Sequence, residues 1–177
     1  IAKGKVDFAM VQPGAYEGLV RFDPLLLIEE SRKIDVHLLD RVSFVANLYS
    51  QPLHIAIRKG SGIQSLKDLK GKRINLGGKL SGDYSMSCLL LESLEIEKSE
   101  LHSNFSYSKM IDYFEKDELD AAFITVGMQA DVFHNLSNLG KIRFLSIPNN
   151  EALAAMQLEL TPYKVPRGIY QFEGSAI

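Results

Sequence analysis

The chain carries one cysteine, Cys88, among 177 residues, so no internal disulfide can form. Cys88 sits in the apolar run Met86-Ser87-Cys88-Leu89-Leu90-Leu91 with no histidine beside it in sequence. That context fits a buried structural thiol better than a nucleophile, and a single cysteine fits the cytosol or a periplasmic protein without disulfides. No apolar stretch approaches the roughly 20 residues a membrane helix needs. No signal segment is present, and the chain opens on Ile1-Ala2-Lys3-Gly4-Lys5 instead of Met, which reads as an internal start or a processed product.

Excess charge is also missing. Twenty basic residues face 22 acidic ones, a formal charge of -2, which asks for neither nucleic acid nor an anionic membrane surface. The densest basic stretch, Lys67 to Arg73, is broken by Asp68 and has no interleaved aromatics, so it reads as a solvated helix end. Catalytic and metal signatures are absent as well. His37, His54, His102 and His134 have no metal spacing, and HExxH, CxxC and EF-hand patterns do not occur. Each histidine reads as a surface or satisfied core residue. No Gly-x-Ser-x-Gly elbow occurs either, so the usual hydrolase signal is lacking. No cofactor and no metal are implied.

What remains is an ordinary apolar fraction, 46%, enough for one domain or two small lobes. Val6 to Val11 reads as a buried strand ended by Gln12-Pro13-Gly14. A helix or an ordered turn is expected within Arg21 to Lys33, strands at Leu53–Arg58 and Lys72–Leu76, and a short turn over Leu66–Leu69 capped by Ser65. The clearest helix runs from Ser81 to Leu94, capped by Ser81 or Asp83, with Met86, Leu89, Leu90 and Leu94 as its apolar stripe. Further helices are expected over Ser108–Lys116, Met128–Leu136 and Glu151–Leu160, the last stopped by Thr161-Pro162. Strands are expected at Asp120–Val126 and Ile142–Ile147. Strands alternating with helices imply an α/β fold with a mostly parallel sheet. Loops at the carboxyl ends of its strands, Gln12–Gly14, Gly77–Asp83 and Thr125–Gln129, are candidates to face one cleft.

Gly77-Gly78-Lys79-Leu80-Ser81-Gly82 has neither phosphate-loop nor dinucleotide glycine spacing, and Asp83 would repel a phosphate. Two readings stay open: a pocket where helix-start N–H groups meet a single carboxylate, and a plain capped turn.

Several segments taken in order carry a resemblance. They are Gly4-Lys5-Val6-Asp7-Phe8-Ala9-Met10-Val11-Gln12, Asn47 to Ile55, Ser61-Gly62-Ile63, Leu66 to Gly77, Ser81-Gly82, Asp120 to Phe123, Val126-Gly127 and Pro166-Arg167-Gly168-Ile169-Tyr170. Their order and spacing resemble the TAXI family of TRAP-transporter solute receptors, periplasmic proteins often called immunogenic proteins. The resemblance implies a type II periplasmic binding protein-like α/β fold of two lobes around a cleft. Residues 1–52 would be part of an incomplete first lobe, 53–160 the second lobe and 161–177 a return crossover. It also implies a periplasmic receptor, not an enzyme, that captures an amino acid or other small carboxylate, a glutamate-like solute above all, and hands it to TRAP permease subunits. Ligand contacts would come from Gln12, Tyr49, Ser61, Ser81, Gly82, Asp83, Thr125, Gly127 and Gln129.

Two positions depart from the family pattern: Asp83 stands where Thr or Ser is usual, and Met128 where Pro is common. Asp83 is thereby expected to bind a ligand ammonium, to disfavour a diacid, or merely to cap its helix. The first lobe's missing parts would leave apolar surface exposed. The alternatives are a ligand sensor of a signalling protein and an enzyme on the same fold, with Asp83 as its general base.

Overall fold

The computed structural model describes residues 6–10, 42–79, 81–97, 101–148, 160–166 and 168–170. The chain divides into two compact units, Ile1–Tyr49 and Ser50–Ile177. Gln12, the Gln12–Gly14 loop, His37, the helix or turn expected within Arg21–Lys33 and most of the helix over Glu151–Leu160 lie outside the described residues.

In the first unit, Val6 to Met10 forms no strand and is exposed, in contrast to the buried strand its composition suggests. Phe8 and Met10 are each 78% exposed. A short apolar run becomes a strand only beside an edge that takes its backbone hydrogen bonds, and no described residue of this unit offers one. Phe44, Val45, Leu48 and Tyr49 are likewise exposed.

The second unit is built on a five-stranded sheet. Its strands are β1 (Leu53–Arg58), β2 (Ile74–Asn75), β3 (His102–Ser103), β4 (Ala121–Thr125) and β5 (Ile142–Leu145), in the order β3-β2-β4-β1-β5. Helices α1 (Gly82–Ser93), α2 (Tyr107–Glu115) and α3 (Asp131–Asn138) accompany them. β2 pairs in parallel with β3 and β4. β1 runs antiparallel to both β4 and β5. The sheet is therefore mixed, where alternation alone suggested a mostly parallel one. Four strands do point one way, but β1 is threaded between β4 and β5 in the opposite sense. Hydrophobic runs report burial, not direction, so the reversal was invisible in sequence.

Both sheet faces are covered. Ala56, Ala122 and Ile124 join Met110 and Phe114 of α2 and Val132, Phe133 and Leu136 of α3 in one apolar cluster. The alternate residues Ile55, Ile57, Ala121 and Phe123 point the other way and are also fully buried. α1 packs on β4 and takes no part in the α2–α3 cluster. Its buried stripe is Asp83, Tyr84, Ser87, Leu90 and Leu91, a correction to the expected Met86–Leu89–Leu90–Leu94 face, and Cys88, expected to be buried, is only half-buried beside it. The stripe accepts Ser87 because its hydroxyl meets the carbonyls of Leu76 at 2.8 Å and Asp83 at 2.5 Å.

The edge formed by the end of β1 and the start of β4 is held electrostatically. Arg58 Nη2 donates to Asp120 Oδ1 at 2.7 Å, and Arg73 donates through Nη2 at 2.8 Å, Nε at 3.0 Å and its backbone N–H at 3.1 Å. Burial alone would raise the Asp120 carboxyl, but the Arg73 and Arg58 donors outweigh it and hold it well below the carboxylate range. Arg73, read in sequence as part of a solvated basic run, is thus an internal partner.

His54 on β1 is a satisfied core histidine, as expected. Its Nδ1–H donates to the Pro52 carbonyl at 2.9 Å, and the Tyr170 hydroxyl donates to Nε2 at 2.6 Å. Its ring packs against Phe133, Phe144 and Tyr170. Burial pulls its pKa down to about 4, against backbone bonds that raise it. A base depressed in the folded state contributes stability that is fully present above its ordinary value and lost as pH falls. The loss should develop between pH 6.5 and about 4 and reach about 3 kcal/mol. Urea titrations across that window should show it, and His54→Phe, which keeps a ring but cannot titrate, should flatten the curve. An unchanged slope in His54→Phe would show that His54 is not the titrating group.

Candidate functional site

The parallel strands β2, β3 and β4 end at Asn75, Ser103 and Thr125, so the loops that follow share one edge of the sheet. After β2 the chain must turn sharply into α1. Gly77 makes the turn at φ 88°, a conformation that disfavours any side chain. A Cβ there would fall 2.3 Å from the Asp83 Cβ and 3.1 Å from Ser81 Oγ. The Ser81 N–H donates to the Gly78 carbonyl at 2.9 Å, and Ser81 Oγ accepts from the Tyr84 N–H at 3.2 Å. Ser81 is therefore the helix cap, and Asp83 occupies the first turn, where the helix dipole favours a negative charge.

Asp83 points across to β4, not back along its own helix. Its Oδ1 accepts the Thr125 backbone N–H, and the Tyr107 hydroxyl also bonds to the carboxylate. The residue is 7% exposed. Burial lifts its pKa above the ordinary range, opposed by the Thr125 N–H and the Tyr107 hydroxyl. The Tyr107 phenol is pushed up in turn, by burial first and then by the Asp83 charge. One carboxylate thus ties α1 to the end of β4 and the start of α2.

The loop between β3 and α2 is fixed by a side chain. Asn75 is fully buried, and its Oδ1 accepts the Phe105 N–H at 2.7 Å. Its Nδ2 lies 3.4 Å from the Phe105 carbonyl, so the amide continues the strand pairing after β2 has ended. This places Phe105, Ser106 and Tyr107 opposite the α1 start. Together with Gly78, Ser81 and Asp83 they line an open recess of about 320 Å3.

The structure thus gathers Ser81, Gly82, Asp83 and Thr125 around one spot. Gly127 follows β4, its carbonyl accepting the Ala130 N–H at 3.1 Å. Gln129 lines a separate hollow with Met128, Phe133 and Tyr170. Ser61 is not part of the recess. It follows β1 at the Asp120 edge, where its Oγ accepts the Ile63 N–H at 3.3 Å and its carbonyl takes Lys72 Nζ at 2.8 Å. Tyr49 belongs to the first unit and is exposed. Phe105, Ser106 and Tyr107 were missed in sequence, because β3 has only two residues and carries no periodic signal. The one available hint was Ser106, a cap-type residue just ahead of α2.

A family model for the NMT1-like family matches residues 32–177. The chain belongs to the NMT1-like family. The recess of this NMT1-like protein lies wholly inside the matched segment, and Val6 to Met10 lies outside it. Among solved structures, the chain is similar to the arginine-, lysine-, histidine-binding protein ArtJ from the thermophilic bacterium Geobacillus stearothermophilus. The identity is 20% over 58% of this chain and 42% of that one, with a TM-score of 0.44. It is also similar to an ancestral arginine-binding protein bound to arginine, at 17% identity over 63% of this chain and 53% of that one, with a TM-score of 0.42. The same protein type bound to glutamine gives 16% identity, 63% and 52% coverage, and a TM-score of 0.41. The chain spans about half the length of these proteins or less.

Proposed function

We propose that the protein is a solute-binding receptor and that the recess at the α1 start is its ligand site. The observation that supports this most is the recess itself. It brings a helix N-terminus, a buried carboxylate and two aromatic rings to one edge of an α/β sheet. Such sites are concave and partly apolar, with a few placed polar groups. First-turn N–H groups of Gly82 and Asp83 would serve a ligand oxygen, and Ser81 and Ser106 would add hydroxyls. Asp83 is committed to Thr125 and Tyr107, which suits holding a site in shape better than shuttling protons. In this reading the protein is a type II periplasmic binding protein with residues 53–160 as one lobe. Residues 1–52 are then part of a second lobe and residues 161–177 the return crossover. The solute is an amino acid or small carboxylate, a TAXI-type receptor is the specific form, and TRAP permease subunits receive the ligand outside the cytoplasm.

A thermal-shift screen of amino acids and small organic acids tests this. A true ligand at roughly a hundredfold excess over Kd stabilises by about 2.7 kcal/mol and raises Tm by several degrees. A flat response across both sets would sink the receptor reading.

A further inference from the structure

We propose that the recess takes a cationic group of its ligand, a protonated amine, against the Asp83 carboxylate. This rests on the reading of the recess as a solute site and names the chemistry of its occupant. Asp83 is buried, yet the donors around it are neutral: the Thr125 N–H and the Tyr107 hydroxyl. Among the described residues no lysine, arginine or histidine forms an ion pair with it. Asp120 shows the contrast within the same sheet, since its carboxylate is matched by two arginines.

A carboxylate offers about four acceptor positions. Two donors are accounted for, the Thr125 N–H and the Tyr107 hydroxyl, which leaves room for a further one. An anion buried without a counter-charge draws a cation more strongly than a neutral group. The walls favour the same occupant. Phe105 and Tyr107 line the recess beside Asp83, and aromatic faces attract ammonium groups. Phe105 already does so, for Lys109 Nζ lies 4.3 Å from its ring centroid and 5.7 Å from that of Tyr113. A ligand that brings only carboxylates would instead set its charge against Asp83. The occupant best matched to both ends of the recess bears one carboxylate for the α1 N–H groups and one ammonium for Asp83, as an amino acid does.

The test pairs each common amino acid with the acid that lacks its α-ammonium, such as L-glutamate with glutarate or L-alanine with propionate. Thermal shift followed by calorimetry is read on the wild-type protein and on Asp83→Asn. Asn keeps an oxygen for the Thr125 N–H and removes the charge. The expected result is that at least one amino acid binds the wild type about tenfold or more tightly than its partner acid, and that Asp83→Asn loses that preference. Equal binding of the two members of every pair by the wild type would overturn the inference while leaving the receptor reading in place. A preference retained in Asp83→Asn would do the same. The wild-type comparison stands even where Asp83→Asn fails to fold. No shift from any compound removes the receptor reading and this inference together.

Discussion

Replacing Asp120 with alanine should lower the stability of the second unit by about 3 kcal/mol, one of the two largest effects expected in this molecule. The carboxylate receives four hydrogen bonds, three of them from charged side-chain groups. Removing it leaves Arg73 without its paired carboxylate and Arg58 with only the longer Asp117 pair, at 4.0 Å. Arg58 is the more enclosed of the two, with its side chain 19% exposed, and would carry most of the penalty. Arg73 is 39% exposed and regains water, which keeps the loss at the low end of the range for a broken buried pair. In melting temperature this is a fall of about 10 °C. Arg73→Ala should cost less than Asp120→Ala, because Asp120 would keep Arg58. If Asp120→Ala melts within about 2 °C of wild type, the network does not hold this edge.

A methyl group at Gly77 should be nearly as damaging, and it should abolish solute binding as well. The left-handed backbone there costs a non-glycine residue about 1–2 kcal/mol. The added Cβ would also overlap the Asp83 Cβ, and relief of such an overlap typically costs about 1–3 kcal/mol. The two together predict a loss of about 3 kcal/mol for Gly77→Ala. Since the carbon that must give way carries the Asp83 carboxylate, its bond to the Thr125 N–H should be displaced too. Gly71 supplies the control. It has a similar φ of 73°, but a Cβ added there would meet nothing within 4 Å. Gly71→Ala should therefore pay only the backbone cost, about 1 kcal/mol, and bind normally. Chemical denaturation and calorimetry of the two variants side by side separate strain from collision. Equal losses in both would show that the Asp83 contact has no energetic weight.

Much of the second unit was legible in the sequence, and the gaps have physical causes. β4 could be found because Ala121 to Thr125 are buried on both faces and ended by a glycine turn. The α1 start was legible because capping is local: Ser81 needs only Tyr84, three residues on. The buried stripe of α1 was misread because Ser87 is polar, and its partner Leu76 lies eleven positions away. The same holds for the site. Asp83 stood out as a departure from a family pattern, but its partners Tyr107 and Thr125 are remote in sequence. Asn75 could not be seen as the clamp on Phe105, nor Asp120 as the centre of an arginine pair, since each acts across the sheet.

The central claim is that solute is held in the recess between the α1 start and the β3–α2 loop. The most direct measurement is amide chemical-shift mapping of the labelled protein, titrated with whichever amino acid gives the largest thermal shift. The account predicts the main changes at Gly78, Ser81, Gly82, Asp83, Ser106 and Tyr107, with saturation at the calorimetric Kd. Saturable changes confined to the hollow of Gln129, His134 and Tyr170, with the α1 start unmoved, would contradict it.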